Sequence, residues 1–232
     1  MYASALFFTI IMYMTKTQTA AQQPQEKDVL LSLLSSTVAF VKGHKKAVLT
    51  GVVILVLATA LELAYSAHVK SVQEKSWAAY YKAQLAVMKD PSALSQLDQV
   101  ATQFPHTNAA QYAQLLKGDI LYAQDNFAQA ADVYEPLLNA KNEILRTVAT
   151  LSLAAAKQAT KDYDTSINIL TKFISHNPKS FALPQAYFTM AMSQELAGKK
   201  DQAVETYKQI LADYTKTYFG AVAKDRLAAL TK

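Results

Sequence analysis

The stretch Ala47–Tyr65, AVLTGVVILVLATALELAY, constrains this chain more than any other. No charge occurs from Ala47 to Leu61. Lys45 and Lys46 stand just before it, Glu62 interrupts it near the far end, and Tyr65 falls where an interfacial aromatic belongs. A bilayer core needs about 20 mostly apolar residues as a helix, with ~17 still sufficient, whereas a buried helix of a soluble domain usually shows ~10–14. The pattern predicts a transmembrane helix over 47–66. Glu62 is its one ionisable residue. Lying one turn from the far interface, it is expected to snorkel; a polar contact with another membrane helix is the sharper alternative.

The flanks set an orientation. Lys42, Lys45 and Lys46 precede the span, whereas Lys70 and Lys75 after it are offset by Glu62 and Glu74. This excess of lysine predicts a cytoplasmic N-terminus and a translocated C-terminal domain. Residues 1–46 are then a cytoplasmic tail. Within it, Met1–Met14 is apolar but lacks the charged start and small-residue cleavage site of a secretory signal. Met12 and Met14 offer later starts, and Met14 is the expected one, leaving 1–13 untranslated. Over Asp28–Lys42, Leu30, Leu33, Leu34, Val38 and Val41 share a helical face, with Ser32, Ser35 and Ser36 opposite. A juxtamembrane helix is expected there, either lying in the interface or leading straight into the span. Gly43-His44 predicts a bend.

Ser66–Lys232 is long enough for a domain with its own core. It holds 18 Lys and Arg against 15 Asp and Glu, a balance that gives no reason to expect nucleic acid. The whole chain has five Gly and six Pro, while Ala, Leu, Gln and Lys abound, so an all-α domain is expected. Cysteine is absent, which excludes a disulfide framework and thiolate metal sites.

Repeats dominate this half. The small residues Ala93, Ala130, Ser166 and Ala203 recur at intervals of 37, 36 and 37. Leu97, Tyr134, Leu170 and Tyr207 follow each by four. Tyr81, Gly118, Ala154 and Ala191 precede each by twelve. Pro105 and Pro178 stand twelve beyond two of them, where the chain must leave its helix. Helices are expected over 47–88, 92–103, 109–123, 128–138, 143–159, 165–176, 184–197, 202–214 and 219–230. The last would cap the array with Lys224, Asp225 and Arg226 facing water. No period-2 strand pattern is present.

This spacing resembles the tetratricopeptide repeat, an α-solenoid of helix pairs. Gly118, Ala130, Tyr134, Leu153-Ala154, Pro178, Gly198, Ala203 and Tyr207 match its signature. Lys117, Tyr81 and Pro136 depart from it, and the period is two or three residues long. In such a repeat the first helix of each pair lines the concave face. The resemblance therefore implies a groove of Tyr112, Leu115, Asp119 and Tyr122, then Val148, Leu151, Ala155 and Gln158, then Phe188, Met192 and Glu195. Large amphipathic side chains and an adaptable Met suit a bound peptide or helix; the other reading is that these residues pack on neighbouring helices. The groove lacks a Lys/Asn cluster for a C-terminal carboxylate, with only Lys75 and Lys82 near.

No constellation for catalysis, a cofactor, a metal or a small-molecule substrate is evident. G-x-G-x-x-G, G-x-x-x-x-G-K-[ST], H-E-x-x-H and G-x-S-x-G are all missing. His44 and His68 flank the span, and His106 and His176 stand beside Pro105 and Pro178, without carboxylates at ligand spacing. Asp162 and Asp164 are expected to be helix caps.

The order of basic tail, single span and repeats of about 36 residues resembles the ancillary subunit of the bacterial SecYEG translocon, and the related repeat domain of the cell-division coordinators. Phe40-Val41-Lys42 before the span and the Ala-rich repeats after it carry the likeness, and Phe-Pro-His-Thr at Phe104–Thr107 and Asn-Pro-Lys-Ser at Asn177–Ser180 are similar to the turns of envelope repeat proteins. The likeness implies a bacterial inner-membrane protein with periplasmic repeats that contact translocon subunits, periplasmic chaperones or emerging chains. A scaffold for division or outer-membrane assembly, or a helical envelope enzyme, are the alternatives.

Overall fold

The computed structural model describes residues 23–231, with side chains from residue 29. The expectation for residues 1–13 lies outside them. Ten α-helices and one short 3-10 helix account for the described elements. The chain divides into two compact units between Ser66 and Ala67.

In the first unit, α1 (Gln23–Gly43) is followed by α2 (Lys45–Lys89), which continues beyond the unit boundary. The bend expected at Gly43-His44 is only a one-residue interruption. His44 N–H donates to Phe40 O at 2.9 Å and Val48 N–H to His44 O at 3.0 Å, so helical bonding passes across it. Every large apolar side chain from Val52 to Leu57 is exposed, as are Leu61 and Tyr65 at 71% each. The most apolar window of α2 is long enough to cross a membrane and none of it is buried in the protein. Its hydroxyls are satisfied locally: Thr50 donates to Lys46 O, Thr59 to Val56 O and Ser66 to Leu63 O, each at 2.9 Å. Such back-bonding leaves no hydroxyl donor in need of water.

The second unit is a row of helix pairs. The part of α2 from Ala67 onward pairs with α3 (Ser95–Gln103), and α4 (Asn108–Ala123) with α5 (Phe127–Tyr134). Next come α6 (Glu143–Ala159) with α7 (Tyr163–His176), and α8 (Leu183–Leu196) with α9 (Lys200–Asp213). The capping helix is α10 (Tyr218–Leu230). Pro136 ends the fourth of these early. A prolyl nitrogen cannot donate to the preceding turn, and the expected 128–138 helix becomes α5 followed by a 3-10 turn, Glu135–Asn139.

Packing follows the repeat register. Leu97, Tyr134, Leu170 and Tyr207 are each no more than 1% exposed, and Ala130, Ser166 and Ala203 are fully buried. Gly118, Ala154 and Ala191 lie buried in the preceding helices. A Cβ at Gly118 would overlap the Tyr134 ring, so only glycine lets α4 and α5 close around that tyrosine. Tyr81 does not occupy the corresponding place: it is 57% exposed. The stripe of α2 facing α3 runs instead through Ala83 and Val87, which cluster with Leu97, Val100 and Ala113.

The turn inside three pairs is also repeated. Asp125, Lys161 and Gly198 adopt left-handed conformations with φ of 61°, 65° and 74°. The next residue closes the helix in each case: Asn126 N–H donates to Leu121 O, Asp162 to Lys157 O and Lys199 to Gln194 O, at 2.8–2.9 Å. These are Schellman closures. Between pairs, Thr107, Asn142 and Thr217 cap α4, α6 and α10 by accepting from Ala110, Leu145 and Gly220 N–H. Asp162 caps α7 through Thr165 N–H, as expected, whereas Asp164 pairs with Lys199 Nζ at 2.6 Å.

Two substitutions test this register. Tyr134→Ala is expected to cost about 3–5 kcal/mol, the range for removing a fully packed aromatic, in chemical denaturation of the purified chain. A loss well under ~1 kcal/mol would mean Tyr134 is not the core residue of its repeat. Lys161→Gly should raise stability by about 0.5–1 kcal/mol, because the left-handed turn strains a side chain that glycine lacks. Gly198→Ala should lose a similar amount, although a Cβ there meets nothing within 4 Å. Opposite signs at these two positions are the diagnostic outcome.

Candidate partner-binding face

Each of α5, α7 and α9 packs on the first helix before it and the first helix after it, while α4, α6, α8 and α10 also touch one another in series. The first helices thus form the inner row, and the residues predicted for a groove belong to this row.

The structure sorts those residues into three groups. Tyr112, Asp119, Tyr122, Val148 and Ala155 keep surface toward solvent. Leu115 and Leu151 are buried, Leu115 in the cluster of Leu121 and Tyr134, Leu151 in that of Ala154 and Leu170. They offer little surface to a partner. The remaining four are engaged within the protein. Gln158 Nε2 donates to Ser193 Oγ at 2.9 Å and to Thr189 O at 3.2 Å, tying α6 to α8. Phe188 lies against Phe219 and Tyr207, with ring centroids 5.6 and 6.3 Å apart, and Met192 packs into the same last cluster. Glu195 accepts from Arg226 Nη2 at 2.7 Å and Nε at 3.3 Å. Arg226 is therefore not on the wet side of the capping helix: its guanidinium turns inward to a half-buried carboxylate.

An aromatic cluster extends the face at its N-terminal end. Trp77 stands 5.6 Å from Tyr80, 6.0 Å from Tyr81 and 5.6 Å from Tyr112 between ring centroids, and Tyr80 lies 5.5 Å from Tyr81. Trp77, Tyr80 and Tyr81 follow the three- and four-residue spacing that puts side chains on one helical face. That spacing in the chain locates the cluster, whereas the repeat register aligns Tyr81 with the small residues Gly118, Ala154 and Ala191.

Two tyrosine–carboxylate pairs mark the inner row. Tyr134 Oη donates to Asp119 Oδ1 at 2.7 Å, and Tyr207 Oη donates to Glu195 Oε2 at 3.1 Å. Desolvation raises the Asp119 carboxyl above the usual carboxylate range despite the hydrogen bond from Tyr134, which opposes the shift. Asp119 is exposed, yet recessed among side chains crowded enough to disfavour its charge. Burial likewise pushes Tyr207 up to about 12, partly offset by Arg226. A separate cleft of about 330 Å³ is lined by Leu138, Arg146, Ile169, Lys172, Phe173 and His176, among others. No group of three or more His, Cys, Asp or Glu side chains suited to a metal occurs among the described residues.

The tetratricopeptide repeat-like domain family matches residues 39–186. The chain belongs to that family. A further tetratricopeptide repeat matches residues 185–217, which brings in α8 and α9. Solved structures share the fold. Nearly identical TPR-like repeats of a Podosopora anserina protein assigned to the kinesin light chains give a TM-score of 0.51 at 15% identity, over 70% of this chain and 84% of that one. The MamA RS-1 ArsTM double mutant gives 0.50 at 16% identity, over 68% and 89%. No curated protein matches. Repeats of this family are protein-interaction modules, and their partners differ with the side chains on the inner row.

The raised carboxyl has a consequence for stability. A carboxyl whose folded pKa exceeds its unfolded value is favoured by folding when protonated, so its ionised form weakens the fold above that pKa. Asp119→Asn keeps an acceptor for Tyr134 and removes the charge. Its thermal midpoint at neutral pH should equal or exceed that of the parent, and the gap should close as the pH is lowered through the Asp119 titration. A clear loss of stability at neutral pH would show that the ionised carboxylate supports the fold.

Proposed function

We propose that this protein is a membrane-anchored docking module without catalytic activity, which holds a protein partner on the inner row of its repeats. The observation that carries the reading is the run of aromatic and polar side chains along that row and its N-terminal extension, where Tyr81 and Asp119 are exposed and Trp77, Tyr112 and Tyr122 are half-buried beside them. The apolar window of α2, free of burial within the protein, supports residues 47–66 as the anchor. Lys45, Lys46 and Tyr65 then mark its two interfaces, and Glu62 meets the far headgroup layer or a neighbouring membrane helix.

Lysine before the span favours a cytoplasmic N-terminus and repeats on the far side, which in a bacterium is the periplasm. The resemblance to the ancillary translocon subunit adds the sharpest version: an inner-membrane protein that works beside the Sec translocon and periplasmic chaperones on newly translocated chains.

Photo-crosslinking in cells from position 112, with position 62 as the membrane-level probe and mass spectrometry of the adducts, tests this. Position 112 is preferred to 188, because Phe188 already packs against α9 and α10. Adducts to translocon subunits or periplasmic chaperones are expected. Adducts to division or outer-membrane assembly proteins would move the assignment to an envelope scaffold, and adducts to cytoplasmic proteins would overturn the topology.

A further inference from the structure

The two tyrosine–carboxylate pairs are built alike but completed differently. In each, the large buried residue of the second helix passes its hydroxyl to a carboxylate on the preceding first helix: Tyr207 to Glu195, and Tyr134 to Asp119. At Glu195 the capping helix adds a cation. Arg226 reaches both carboxylate oxygens, with Nη2 2.7 Å from Oε1 and Nε 3.3 Å from Oε2. This fork-like approach is the strongest geometry available to an arginine and a carboxylate. At Asp119, no cation pairs with the carboxylate among the described residues. Lys117, the nearest lysine in sequence, is turned to Asp98 on α3 at 2.7 Å. Asp119 remains accessible on the inner row.

We propose that Asp119 is the receptor for an arginine side chain of the bound partner, which completes the Tyr134–Asp119 pair as Arg226 completes Tyr207–Glu195. This deepens the docking function above and rests on it. The partner segment is a basic amphipathic peptide: its arginine meets Asp119 while its apolar flank lies on Trp77, Tyr81 and Tyr112. Aromatic faces attract a guanidinium as well as apolar surface, so the cluster suits both parts of such a segment. The opposite arrangement, a lysine cluster gripping a carboxylate, is not what this row presents. A carboxyl retained in a crowded place that disfavours its charge also fits a group kept for binding rather than for stability.

The chain contains a single tryptophan, Trp77, and it lies in the cluster, so its emission reports on the site directly. The full chain in a neutral maltoside detergent is titrated with three matched amphipathic peptides, Arg/Leu, Gln/Leu and Glu/Leu. The Arg/Leu peptide should shift Trp77 emission saturably and bind roughly tenfold or more tighter than Gln/Leu, the scale of one charge-assisted hydrogen bond. The preference should weaken with salt. Asp119→Asn should abolish it and Asp119→Glu should retain much of it, with both variants folded by circular dichroism. Equal affinities for Arg/Leu and Gln/Leu, a preference that survives Asp119→Asn, or tighter binding of Glu/Leu would each overturn the arginine assignment while leaving the docking face intact. If no peptide alters Trp77 emission, the assignment fails, and crosslinking from position 112 then decides separately whether the face docks a protein at all.

Discussion

The repeat unit depends on one contact: a large side chain from each second helix fills the gap left by a small residue on the first. Tyr134 against Gly118 shows why this is strict, since even a methyl group on the glycine would enter the ring. Leu97, Leu170 and Tyr207 fill the same place in the other pairs, all at or below 1% exposure. Once these contacts are made, neighbouring pairs must stack, because no single pair buries its apolar surfaces alone. The inner row of first helices is a by-product of that stacking.

The two tyrosines do a second job. A leucine in that slot ends inside the core, but a tyrosine carries its hydroxyl through to the inner row and must find an acceptor there. Asp119 and Glu195 supply it from different helical positions, 15 and 12 residues before their tyrosines. The core and the surface chemistry are therefore linked through the same side chains. At the C-terminal end, Arg226 and Phe219 of the capping helix cover the row. At the N-terminal end, the aromatic side chains of α2 and α4 leave it open, which makes the two ends of the face chemically unequal.

Much of the architecture was legible in the chain. The uncharged run predicted the apolar helix, and the 36–37-residue spacing predicted the helix pairs and their buried tyrosines, because both depend only on local composition and periodicity. The expected helix 143–159 agrees at both ends with α6. The first pair was harder. Its first helix continues from an apolar helix with no turn to set the phase, so Tyr81 was placed where Ala83 and Val87 in fact pack. Pro136 is visible in the chain as a departure from the repeat, and the helix that periodicity extends to residue 138 ends just before it.

The all-α class, the repeat, its pairing of small with large residues and a stretch apolar enough to cross a membrane are all written in the chain. These follow from hydrophobic periodicity and from the backbone limits of proline and glycine. Which inner-row side chains remain available is set by packing between helices. Leu115 and Leu151 share the helical phase of Tyr112 and Val148 but lie under neighbouring helices, and Glu195 is taken by an arginine 31 residues away. Helical phase states the direction in which a side chain leaves its own axis; what it meets there is set by the neighbouring helix, which periodicity along the chain does not encode.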